Sequence, residues 1–200
     1  MISSPLCMNN KVMGTLISLD IELGAIRSFL KAVTVAADAE YSKINLMSEA
    51  GEFSHYDDEA NVYFVPEMWE RIAIRATLGE LNALVEWELQ NLASGLSPAK
   101  VSKKQNGRLR FGFDLEMKEI IERIENYFKI EIKDMAGYKE VKTIRDKVNS
   151  FKHRKGFKHP YKDASKVLME RFELSREEAF QGIDSVRAFL KDIWSKTKSK

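Results

Sequence analysis

The fold class the sequence predicts is all-α: an up-and-down-like bundle of five or six helices with one long acidic loop, and room for a short β element near 62–65. Three observations predict it. Apolar residues recur at alternating steps of three and four over long stretches, the spacing of one helical face. Only four Pro and ten Gly interrupt 200 residues, which suits long helices better than a turn-rich β fold. Helix-start and helix-stop signals sit between the periodic runs. With 44% hydrophobic and 31% charged residues the chain can fill a core, and disorder is not expected. Residues 1–200 are expected to form a single helical domain, because the length fits one domain or a domain with a small appendage and no internal repeat divides it.

The first helix is expected over about Asn10 to Ala39, where Leu16, Leu19, Leu23, Ile26, Leu30 and Val33 form one stripe. Tyr41 to Val65 breaks that period. It holds Gly51, the acids Asp57, Asp58 and Glu59, and the β-prone run Val62-Tyr63-Phe64-Val65, so it reads as a loop with a strand, a hairpin or small helical turns. Pro66 suits the first turn of a helix reaching Ala93. That helix carries Trp69, Ile72, Ala73, Ala76, Leu78, Leu81, Leu84, Val85, Trp87, Leu89 and Leu92 on more than one face, which predicts a central helix with neighbours on several sides. Arg75 and Glu86 lie in this apolar surround and need a partner or a path to the surface.

Ser94 to Phe113 reads as a linker, broken by Gly95, Pro98, Gly107 and Gly112 and basic through Lys100, Lys103, Lys104, Arg108 and Arg110. Asp114 is the expected N-cap of a helix to about Phe128, with Leu115, Met117, Ile120, Ile121, Ile124 and Tyr127 inward. Gly137 precedes a helix that buries Tyr138, Val141, Ile144, Val148 and Phe151 and stops near Gly156. A short helix follows from Pro160 to about Phe172. Ser175-Arg176-Glu177-Glu178 is a capping box that opens the last helix, with Ala179, Ile183, Val186, Phe189 or Leu190, and Ile193 inward. The tail Lys196 to Lys200 is expected to fray.

Several function classes find no support. Cys7 is the only cysteine, so no intrachain disulfide and no thiolate zinc site can form. There is no phosphate-binding glycine loop, dinucleotide fingerprint, zinc-protease motif or nucleophile elbow, so no cofactor is expected. His55, His153 and His159 have no metal-site spacing with carboxylates, and no metal is expected. The N-terminus lacks the pattern of a secretion signal, and no stretch approaches the ~20 apolar residues of a membrane span. The expected setting is cytoplasmic.

Charge is segregated along the chain. Tyr41 to Glu70 holds seven acids and one base; Lys129 to Lys162 holds eleven bases and four acids. Such segments can be solvated faces that balance in the fold, a contact between the two, or a basic surface for a polyanion. The chemistry-bearing stretch is Ile144-Arg145-Asp146-Lys147-Val148-Asn149-Ser150-Phe151-Lys152-His153-Arg154-Lys155-Gly156. Arg145, Asn149 and His153 are spaced by fours and begin along one side of a helix. A histidine there can serve as general acid or base near neutral pH. Arg145 can hold a phosphate and stabilise charge developing on it, and Lys142, Lys152, Arg154 and Lys155 add phosphate-binding cations. The same cations also suit a helix C-terminus, where they complement the macrodipole.

This stretch, with the earlier helix Arg75-Ala76-Thr77-Leu78 through Leu84-Val85-Glu86 and the final Ser175 to Trp194 helix, resembles the HEPN superfamily of helical domains from prokaryotic toxin–antitoxin, anti-phage and RNA-processing systems. The resemblance covers about 69–194, with the helix of about 10–39 packed on that core. Arg145 and Asp146 match the first two positions of the family's motif and His153 the third, at a longer spacing than active members use. The resemblance implies a homodimer that cuts RNA without metal, with Arg145 and His153 in the site, to which helical spacing adds Asn149, or a member that has lost catalysis and serves as a binding or oligomerisation module. It implies RNA and an antitoxin or other protein as partners; the lack of a long apolar stretch implies no membrane.

Overall fold

A computed structural model of the chain describes residues 5–96, 116–154 and 172–197. The described residues form five helices and a 3₁₀ turn, with no strand. These are α1 (Pro5–Glu49), α2 (Tyr56–Gly95), α3 (Met117–Phe128), the turn Ile132–Asp134, α4 (Tyr138–Arg154) and α5 (Arg176–Thr197). The all-α expectation is met, and no described helix is long and apolar enough to cross a membrane.

The long acidic loop is not there. α1 runs ten residues past Ala39, because its inner row does not stop there: Leu19, Leu23 and Leu30 are followed at helical spacing by Ala37 and Ile44, all buried. Gly51 marks the true end. It stands at φ 69°, with the Glu52 amide donating to the Met47 carbonyl and its own amide donating to Ser48. That is the doubly bonded left-handed stop for which glycine is suited. Only a few residues of turn separate it from α2.

The β-prone run 62–65 is also helical, and Pro66 lies inside α2 rather than in its first turn. Proline removes one helical amide bond, and Val and Phe are indifferent helix formers. Docking on α1 overrides both. Glu59 accepts a 2.6 Å hydrogen bond from Ser48, Tyr63 donates to Asn45, and the Tyr63 ring stacks on Tyr41 at 6.3 Å. Farther down, Trp69 and Ile72 sit beside Phe29 and Val33. The partners run in opposite directions, so α1 and α2 form an antiparallel hairpin.

α5 closes the hairpin from one side, antiparallel to α1. Arg27 pairs with Asp184 at 2.5 Å, Asp20 with Arg187 at 3.0 Å, and Arg176 with both Asp38 and Glu70. Its start forms one half of the expected box: the Glu178 amide donates to the Ser175 hydroxyl at 3.1 Å, while the Glu178 carboxylate accepts from Lys147 instead of reaching back. Its inner face, Ala179, Ile183, Val186, Phe189, Leu190 and Ile193, is buried throughout. α4 packs on α2 and α5, and α3 on α2. All contribute to one continuous core from Leu19 to Ile193.

Two further expectations change, and one lies almost wholly outside the described residues. α2 is not surrounded: Trp69, Ile72 and Trp87 are about half exposed, and Ala76 faces solvent. α3 is capped by Glu116, in a reciprocal box with Glu119, and buries Phe128 while Tyr127 faces out. Phe172 belongs to no helix. Asp114, the linker at 97–113, the proposed helix over 160–171, Gly156 and the last three residues lie outside the described residues.

Candidate functional site

α4 begins at a turn that only glycine fits. Gly137 has φ 73°, and a Cβ there would run into the Ser185 backbone carbonyl of α5. One residue earlier, the Ala136 amide donates to Asp192 of α5 at 3.0 Å, and with Lys196 this bond holds the Asp192 carboxyl below its ordinary value. The start of α4 is thus pinned to α5. Val141, Ile144 and Val148 turn inward and fix the helix about its axis.

That rotation places the sequence-predicted residues. Arg145, Asn149 and His153 advance by about 40° per four-residue step, so His153 stands about 80° farther round than Arg145 and about 12 Å along the axis. Burial follows the drift: Arg145 and Asn149 are half-buried at the margin of the core, and His153 is exposed. Lys142 and Asp146 share the outer stripe with Asn149 and His153; Lys152 is exposed beside it. The Arg154 side chain and Lys155 lie outside the described residues. The outer face of α4 is therefore a polar stripe rich in cations.

The sequence reading missed Lys147. It points inward, 8% exposed at the side chain, and donates to Glu178 at 2.6 Å and to the Glu173 carbonyl at 2.9 Å. A buried ammonium needs such partners. Lys147 ties α4 to the start of α5 and lines a cleft of about 220 Å³ with Leu78, Lys139, Thr143 and Gln181. The signal was in the sequence: Lys147 stands in the arc between Ile144, Val148 and Phe151, where a solvated lysine does not fit.

A larger cleft of about 680 Å³ opens at the other end of α4, between Glu67, Glu70, Arg71 and Arg75 of α2, Phe151, and the segment Phe172 to Ser175. Arg75 reaches the surface and lies 5.9 Å from the Phe151 ring centre, within cation–π range. Here the acidic and basic segments approach each other, but Glu70 pairs with Arg176. Neither cleft is lined by Arg145, Asn149 or His153. Among the described residues no three of His, Cys, Asp and Glu gather as a metal site.

The chain matches no family model, no curated protein and no solved structure.

Proposed function

We propose that this is a HEPN-like helical protein with an RNA-linked role, in a toxin–antitoxin or anti-phage setting, and that the outer face of α4 is its RNA contact. The observation that carries this reading is the stripe of Lys142, Asp146, Asn149 and His153, in which one acid is outnumbered once Lys152 and Arg145 beside it are included, on a helix whose rotation is fixed from behind. Exposed cations on a rigid helix suit phosphate, and Asn and His add hydrogen-bonding groups for sugars or bases.

Binding is favoured over cleavage within one chain. Arg145 and His153 diverge, so a single phosphodiester is not held between them. A catalytic version requires a second copy to supply the missing group across a two-fold axis.

The test is anisotropy of a labelled single-stranded RNA. Affinity should fall steeply with salt, and Lys142→Glu with Lys152→Glu should weaken it at least about tenfold and flatten the log–log salt slope by about 0.7 per lost contact. The melting temperature should not move. Unchanged affinity in the double variant sinks the reading. Loss of RNA cleavage in His153→Ala at unchanged stability would support the catalytic version; a wild-type chain that binds without cutting ends it.

A further inference from the structure

The side of α1 turned away from the core carries a second stripe. From Ile21 to Leu46 eight uncharged residues recur at alternating steps of four and three, and all eight are exposed. Ile21 and Leu46 are 67% exposed and Val35 is 56% exposed. A helix facing water on that side has no need of this spacing; it is the period of a helix–helix seam.

The stripe is self-complementary when reversed. Laid antiparallel on itself about the point between Val33 and Thr34, it matches Ile21 with Leu46, Ala25 with Ser42, Ser28 with Ala39, and Ala32 with Val35. Large side chains meet at the ends, and small ones let the backbones approach in the middle. The flanking charges agree with the same register. Glu22 would face the partner's Lys43, and Lys31 the partner's Asp38; on the α2 side Phe29 would face the partner's Ala36. Each pair occurs twice by symmetry. A parallel pairing brings together only Asp38 and Lys43. Flanking charges of this kind set partner and orientation.

The neighbouring surface extends the seam. Phe29, Trp69 and Ile72, each 41–52% exposed, border an apolar groove of about 440 Å³ between α1 and α2, with Ala32 and Ala36 along it. The stripe is about 38 Å long and about 10 Å wide. The groove widens it toward the roughly 800 Å² per partner of a standard interface. Glu22 is close enough to Glu88 for the two carboxylates to repel, so a partner's cation gains by arriving there. Lys43 already binds Glu40 and is exposed, with ammonium protons left for a second partner; Arg176 holds both Asp38 oxygens, at 2.7 and 3.1 Å, so a partner's Lys31 would share an oxygen that is already bound.

We infer that the outer face of α1 is a docking surface for a second copy of this chain, joined antiparallel about a two-fold axis between Val33 and Thr34. The inference does not depend on RNA binding. α4 makes its packing contacts with α2 and α5, so a seam on the outer face of α1 does not use the outer face of α4.

Sedimentation velocity on the full chain tests it. A dimer is expected at micromolar concentration. Val35→Glu, at the centre of the seam and outside the core, should raise the dimer dissociation constant at least about a hundredfold with helical circular dichroism unchanged, since it places two unpaired carboxylates in an apolar contact. Lys43→Glu should weaken the dimer about tenfold, and adding Glu22→Lys should restore it to within about threefold. A wild-type monomer at tens of micromolar, or a dimer indifferent to Val35→Glu, overturns the inference. A Lys43→Glu dimer that Glu22→Lys does not rescue overturns the antiparallel register.

Discussion

α1 and α4 use their inner faces alike and their outer faces differently. Both turn Leu, Ile and Val into the same core. Outward, α1 shows Ile21, Val35 and Leu46, whereas α4 shows Lys142, Asp146, Asn149, Lys152 and His153. The fold needs only one face of each helix, so the outer faces are free to carry something else. An apolar outer face seeks another protein surface; a cationic one seeks a polyanion. The two outer faces thus differ in character, and a protein docked on α1 need not compete with a polyanion on the outer face of α4.

The contrast breaks hardest within α1 itself. Leu23→Ala removes a fully buried side chain and should cost about 2–5 kcal/mol of stability. Ile21→Ala, two residues away on the outer face, should cost less than about 0.5 kcal/mol in the monomer. Urea unfolding of both variants in a Val35→Glu background measures the pair. Similar losses would mean that Ile21 is covered within its own chain.

α4 gives a smaller contrast of the same form. Lys147→Ala removes two charge-assisted hydrogen bonds and packed methylenes, and should cost about 1.5–3 kcal/mol. Lys142→Ala, on the outer face, should stay within about 0.5 kcal/mol. If the outer face of α4 is the RNA contact, the roles should reverse in the RNA assay: Lys142→Ala should weaken binding and Lys147→Ala should leave it unchanged at temperatures where the fold persists. A Lys147→Ala variant as stable as the parent would show that its bond to half-exposed Glu178 contributes nothing.

What was legible in the sequence follows the same division. The inner stripe of α1 and the whole of α5 could be read from spacing, because burial imposes the period and Ser175 announces its own cap. The hairpin turn could not. Gly51 reads equally as the start of a loop or the end of a helix, and 62–65 reads as strand until Tyr63 meets Tyr41 and Asn45, residues distant in sequence. Trp69 and Trp87 read as inward-facing, because apolar character does not say which face of a helix has a neighbour. At the candidate site, spacing gave the side of α4 that carries Asn149 and His153. It did not give the rotation of that side, which is set by Gly137 against Ser185 and by Lys147 against Glu178, contacts between segments far apart in the chain.

The smallest effect concerns the seam between the two sides. Glu88 of α2 is half-buried; burial pushes its carboxyl above the ordinary value, and the nearby Glu22 of α1 pushes it further. Because the folded value is raised, the group's contribution is complete below the unfolded value of about 4.3 and is lost as pH rises through the folded one. Glu88→Gln removes that loss. It should raise the melting temperature by no more than about 2 °C at pH 7 and leave it unchanged at pH 4. The gain should be larger in the Val35→Glu monomer, where the partner's Lys43 no longer sits beside Glu22. An equal gain at both pH values would mean that the carboxylate charge at Glu88 is not what opposes folding there.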